Sequence, residues 1–271
     1  MIEKKEDSDP NALCEFCTLT TVIPSLENPR NLVRWQRLES AKRQLHSQLR
    51  ALGLPPYKVD KSIASVPLLS YEFVEANAVA SNSPITMGHT SGKITILVEE
   101  ADAGYREGLR EQLGEPQRTL VRHFRHEIGH YIDFVGVPQH RRNEYTALFG
   151  DPLAVDYDVA RQNYYQNPDA IQWPMKFVSK YATMHPWEDF AETVDAFLDL
   201  AAVIQVANDH ETVKVNSSRE LATKKVLDQY QEIALLSNEL NFSRGLEMLV
   251  PEIISEEVRK KLEFVASLCC V

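Results

Sequence analysis

Five consecutive residues, His126-Glu127-Ile128-Gly129-His130, restrict this chain more than any other feature of its sequence. Two imidazoles four positions apart grip one metal ion only if the backbone between them is helical, so that both rings leave one face. The glutamate between them is then placed for proton transfer. The flanking residues supply that helix. From Thr119 to Val135 the apolar residues Val121, Phe124, Ile128, Tyr131, Ile132 and Val135 recur mostly at steps of three and four, with Pro116 before the run and Gly136 after it. At about 100° per residue, the two histidines fall nearly opposite the apolar stripe and Glu127 lies on the flank between them. They face a cleft and not the core.

A catalytic zinc commonly takes three protein ligands and leaves a fourth position for water. A third histidine in the extended H-x-x-G-x-x-H pattern would require histidine at 136 and glycine at 133. The chain has Gly136 and Asp133, which excludes that class. Asp151 and Asp156 are downstream carboxylates without a supporting pattern. A second helix fits better. Proline opens the run His185-Pro186-Trp187-Glu188-Asp189-Phe190-Ala191-Glu192, and Trp187, Phe190, Ala191, Val194, Phe197 and Leu198 keep the helical period. Glu188 and Glu192 are one turn apart on a shared face. Acidic residues in a first turn are favoured by the helix dipole alone. Beyond an H-E-x-x-H helix, at a separation of 188 − 130 = 58 residues, Glu188 is nevertheless expected to be the third zinc ligand. Glu192 is expected to accept the free N–H of a ligating histidine, His126.

Several longer runs carry a resemblance. Gly114 to Leu120, His123 to Tyr131, Phe149-Gly150-Asp151, Asp156-Tyr157, Ser179, Tyr181-Ala182 and His185 to Thr193 resemble a bacterial family of zinc-binding metallopeptidases. Asn11 to Pro55, with Cys14, Cys17 and Trp35, resembles that family's entry segment, and Ser237 to Leu246 its closing helices. The resemblance implies an α+β, mostly helical, zincin-like peptidase with a small β-sheet above the active-site helix. It also implies an H-E-x-x-H…E ligand set of the gluzincin kind and endopeptidase activity. Tyr181, seven residues before Glu188, is similar in placement to a tyrosine of the anthrax lethal factor peptidase that stabilises an oxyanion. That likeness implies the same role for Tyr181. His185 is the rival donor, or a residue that caps the second helix.

The expected chemistry is peptide hydrolysis at a zinc held by His126, His130 and Glu188, with Glu127 as general base. The expected partner is a protein or peptide substrate. Two other readings share these residues: a non-catalytic, zinc-stabilised binding module, and a toxin or effector protease with a single protein target. Lys93-Ile94-Thr95-Ile96-Leu97-Val98 is β-branched and follows a glycine-flanked turn, so it reads as a strand, with an earlier one near Tyr71 to Ala80. This strand is expected either at a sheet edge, binding substrate backbone by strand addition, or in the core.

With 271 residues and 44% hydrophobic content, one substantial core is expected, in a domain spanning residues 30–271 behind a Cys-bearing segment of residues 1–29. A net charge of −10 argues against nucleic acid as a partner. Arg118, Arg122 and Arg125 are expected to form ion pairs or a solvated face. No apolar run is long enough to span a bilayer, and Met1 to Asp9 is too charged for a signal peptide, so a soluble cytoplasmic protein is expected. Cys14-x-x-Cys17 has the spacing of half a zinc ribbon, and it reads as a remnant unless Cys269 and Cys270 complete it. Oligomeric state leaves no mark on the sequence.

Overall fold

A computed structural model describes residues 13–57, 68–79, 87–113, 118–167, 173–246 and 254–269. Pro116, the run from Gly114 to Gln117 and Cys270 lie outside the described residues. Helices dominate, and four short strands form one mixed sheet.

β1 (Thr20–Val22) precedes α1 (Pro29–Leu52), which starts and stops where its sequence dictates. The Asn28 side chain accepts from the Arg30 N–H at 3.2 Å, Pro29 occupies the first turn, and Gly53 closes the helix at φ +63°. β2 (Ser70–Val74), the single turn α2 (Ala76–Val79), β3 (Gly88–Thr90) and β4 (Lys93–Leu97) follow. The sheet order is β1-β2-β4-β3, with β1, β2 and β4 parallel and β3 antiparallel to β4. Ser91 and Gly92, at φ +50° and +90°, join β3 to β4 in a two-residue hairpin turn.

The strand from Lys93 is therefore interior, which corrects the edge position considered from the sequence. Ile94, Thr95 and Ile96 are all buried, so both faces of β4 are covered, and a continuous β-branched run is what such a strand requires. The described edges are β1 and β3. β1 belongs to the segment placed before residue 30, yet it pairs with β2, and the Thr20 hydroxyl donates to Glu39 of α1 at 2.6 Å. That boundary thus does not separate the strand from the sheet.

After α3 (Ala103–Leu113) comes α4 (Leu120–Gly136), whose N-cap Thr119 accepts from the Arg122 N–H at 3.2 Å. Its apolar face buries Phe124, Ile128, Tyr131, Ile132 and Val135, each contributing about 1.5–3 kcal/mol relative to exposure. Phe124 meets Tyr71 and Phe73 of β2 at ring separations of 5.8 and 6.1 Å, so the sheet lies on α4 as expected.

Between α4 and the second site helix lie α5 (Arg142–Phe149) and α6 (Tyr157–Gln166). α6 has no fully buried residue, and its inward face carries only the half-buried Tyr157, Ala160 and Tyr164, a weak apolar signal. α7 (Pro186–Asp209) packs antiparallel on the other side of α4, and α8 (Lys224–Ser243) and α9 (Glu256–Ala266) complete the bundle. Lys261 of α9 forms a buried ion pair with Asp189 of α7 at 2.5 Å. Among the described residues, no helix is long and apolar enough to cross a membrane.

Candidate metal centre

α4 and α7 approach closely because Gly129 has no side chain: a Cβ there would lie 2.7 Å from Ala191 Cα. Charge pairs then run along the contact. Arg122 reaches Asp195 at 2.9 Å and Arg125 reaches Asp199 at 2.8 Å, while Arg118, ahead of α4, pairs instead with Glu100 of the turn after β4 at 3.3 Å. The three arginines form ion pairs, one of the two states expected.

Between the helices, His126 and His130 of α4 meet Glu188 of α7. His126 Nε2 lies 3.0 Å from Glu188 Oε2, His130 Nε2 lies 3.5 Å from that oxygen, and the two Nε2 atoms are 3.2 Å apart. These three ligand atoms lie within 4.8 Å of one another, a group that could hold a metal ion. His126 Nδ1 is bound to Glu192 Oε1 at 2.7 Å, the partner expected for it. With Nδ1 committed there, Nε2 is the ring atom turned toward Glu188 and the one that would bind an ion.

The donor set fits zinc. Tetrahedral zinc with ligands at about 2.0–2.2 Å separates its ligand atoms by roughly 3.3–3.6 Å, close to the separations here. Glu188 Oε2 is buried and without a hydrogen bond, an orphaned acceptor aimed at two ring nitrogens. Burial would lower the His126 pKa, but the two carboxylates of Glu188 and Glu192 beside the ring outweigh it and raise the group well above its ordinary value. The pocket favours positive charge.

Sequence reasoning missed a residue that completes this arrangement. The Tyr157 hydroxyl donates to Glu188 Oε1 at 2.7 Å, leaving Oε2 for the histidines. Burial first, then the Glu188 charge, raises the Tyr157 pKa, so the phenol stays protonated and able to donate. Asp156-Tyr157 figured in the family resemblance, but only the packing of α6 against α7 brings the phenol to Glu188. The other carboxylates considered as ligands serve the backbone. Asp156 caps α6 by accepting from the Val159 N–H at 2.9 Å, and Asp151 accepts from the Leu153 N–H at 2.9 Å.

Glu127 is buried, and one of its oxygens, Oε1, lies 3.3 Å from His123 Nε2. Burial tends to raise its pKa, but His123 and the neighbouring histidines hold it at about 2, so the carboxylate is ionised. Tyr181 packs its ring 5.9 Å from that of His126. Burial and the Glu188 charge raise the Tyr181 pKa, again keeping a phenolic proton in place.

His185 is engaged at both ring nitrogens. Nδ1 accepts from the Trp187 N–H at 3.1 Å and Nε2 lies 3.1 Å from the Val155 carbonyl. As the N-cap of α7 it has no N–H left for a substrate, so of its two expected roles the geometry matches capping.

The Cys14 and Cys17 thiols face each other at 3.1 Å. Cys269 is buried in the core, and among the described residues no metal-ligating group includes the pair.

The fold is mostly helical with a small mixed sheet, and among the described residues it carries one group that could hold a metal ion. A family described as "Putative zinc-binding metallo-peptidase" matches residues 31–268, and the chain belongs to that family. Uncharacterized proteins of Mycobacterium tuberculosis H37Rv and of Mycobacterium bovis are each 34% identical to it over 261 residues, covering 93% of this chain and 74% of theirs. No solved structure matches.

Proposed function

We propose that the protein is a zincin-type endopeptidase of the H-E-x-x-H…E kind, with His126, His130 and Glu188 as the zinc ligands. The observation that carries this reading is the convergence of two imidazole nitrogens and one orphaned carboxylate oxygen beside a buried Glu127. Three protein ligands leave room for solvent, as catalytic sites do. A structural site in a binding module is more often closed by four.

Zinc, when bound, supplies Lewis acidity, which polarises the scissile carbonyl and brings the pKa of water to roughly 7. Glu127 accepts the proton of the attacking water and returns it to the amine as the C–N bond breaks. Tyr181 donates its phenolic hydrogen to the developing oxyanion, a contact of a type worth about 3 kcal/mol. Glu192 and Tyr157 orient His126 and Glu188. The exposed edge of β3, beside Glu127, offers its backbone to an extended substrate by strand addition.

The test compares zinc-loaded wild type with Glu127→Gln on a mixed-sequence library of internally quenched peptides. The variant is expected to keep its zinc and to lose cleavage by about 10²–10⁴-fold. Full activity in Glu127→Gln overturns the mechanism.

A further inference from the structure

His123 lies one helical turn before Glu127 on α4, and the reaction as described makes no use of it. Its Nε2 lies 3.3 Å from Glu127 Oε1, and its Nδ1 lies 2.8 Å from Glu100 Oε2. Glu100 belongs to the short helical turn that follows β4, is buried, and is also paired through that same Oε2 with Arg118 at 3.3 Å. An imidazole set between two carboxylates satisfies both only by donating from each nitrogen, which is the protonated ring. Burial would lower the His123 pKa, but Glu100 and Glu127 outweigh it and raise it to about 9.

Both oxygens of Glu127 also have a backbone neighbour. A Cβ built at Gly88 would lie 3.0 Å from Oε2 and 3.3 Å from Oε1, so the bare backbone at the start of β3 walls the carboxylate. The terminal torsion of a glutamate is broad when nothing restrains it. Here one oxygen is tied to an imidazole and the group is flanked by a strand.

We propose that His123 is a positioning residue for Glu127: held in turn by Glu100, it clamps Oε1 and leaves Oε2 as the oxygen that exchanges protons with water and the leaving amine. This rests on the peptidase reading above. The arrangement follows the logic by which a carboxylate fixes the ring of a catalytic histidine, with the order carboxylate, imidazole, carboxylate. It also ties the base to the sheet, because Glu100 directly follows β4 and Gly88 begins β3.

The experiment uses the zinc-loaded full chain and its variants His123→Phe, His123→Gln and Glu100→Gln on a peptide that the wild type cleaves from the quenched library. His123→Phe keeps a ring and removes both donors. Its kcat is expected to fall on the order of tenfold to a hundredfold, with KM changed by less than about twofold and zinc content equal to wild type. His123→Gln, which restores an N–H toward Glu127, is expected to recover part of that loss. Should the phenylalanine variant fail to fold, His123→Gln and Glu100→Gln carry the test, each with reduced kcat and wild-type KM. Undiminished kcat in the folded variants, or a rise in KM alone, overturns the role.

A second readout needs no turnover. In protein labelled with ¹⁵N at histidine, Glu127→Gln is expected to shift His123 Nε2 and Glu100→Gln to shift Nδ1, and no shift at either nitrogen overturns the clamp. Absence of cleavage by wild type overturns the peptidase reading and the role with it. Wild-type cleavage with an undiminished His123→Phe overturns the role alone.

Discussion

One added methyl group at position 129 tests whether the metal centre depends on how closely α4 and α7 approach. A Cβ there would meet Ala191 Cα at 2.7 Å, Ala191 O at 3.0 Å and Ala191 Cβ at 3.2 Å. Ordinary contact begins at 3.4 Å and the nearest obstructing atoms are backbone, so Gly129→Ala must part the helices locally by about 0.7 Å. Overpacking of that kind costs about 1–3 kcal/mol, and the better helix propensity of alanine offsets up to about 1 kcal/mol of it. The fold therefore survives with a modest loss. The metal is more exacting, because distances to its ligands tolerate only about ±0.2 Å. His126 and His130 move with one helix and Glu188 with the other, so a gap of this size pulls the carboxylate out of reach. Zinc affinity is expected to fall by at least about a hundredfold, or roughly 2.7 kcal/mol. Competition against a chromophoric chelator reads the affinity, and thermal unfolding of the metal-free protein reads the fold. Gly108→Ala on α3, where an added Cβ meets nothing within 4 Å, is the control and should leave zinc binding unchanged. Wild-type zinc affinity in a folded Gly129→Ala would refute the argument.

Tyr157→Phe removes the hydroxyl that holds Glu188 Oε1 at 2.7 Å and should weaken zinc binding by about 10–100-fold in the same competition assay. Tyr181→Phe should lower kcat by about 10²–10³-fold while zinc content and KM stay near wild type, measured on any peptide the library yields. Removing zinc with a chelator should lower the unfolding temperature. At free zinc a thousandfold above Kd, binding contributes about 4.1 kcal/mol, which for a domain of this size is a shift on the order of 10 °C.

The parts of the site that lie within one helix were legible because a 3.6-residue period turns spacing directly into direction. His126 and His130 share a face for that reason, and so do Glu188 and Glu192; the start of the second helix was readable from Pro186, whereas Pro116, read as the start signal of the first, lies outside the described residues. His123 was equally readable, four residues before Glu127, but its meaning depends on Glu100, which arrives from the sheet. α6 escaped notice because its inward stripe is short, only the half-buried Tyr157, Ala160 and Tyr164, even though Asp156 is an ordinary cap. The β-branched run of β4 left an edge and a core position equally open. Which strand became the edge depended on the hairpin at Ser91-Gly92 folding β3 back against it.

Alone, the chain's order of residues determined which atoms are able to ligate, their spacing, and the helices that carry them, since these follow from local backbone geometry and residue chemistry. Only the tertiary structure decided that Glu188 meets the histidines while Asp151 and Asp156 do not, that Tyr157 takes the second oxygen of Glu188, and that His185 caps a helix. Such choices are made by long-range packing, here the approach of two helices at Gly129 against Ala191. No local period encodes a distance between segments that are far apart in the chain.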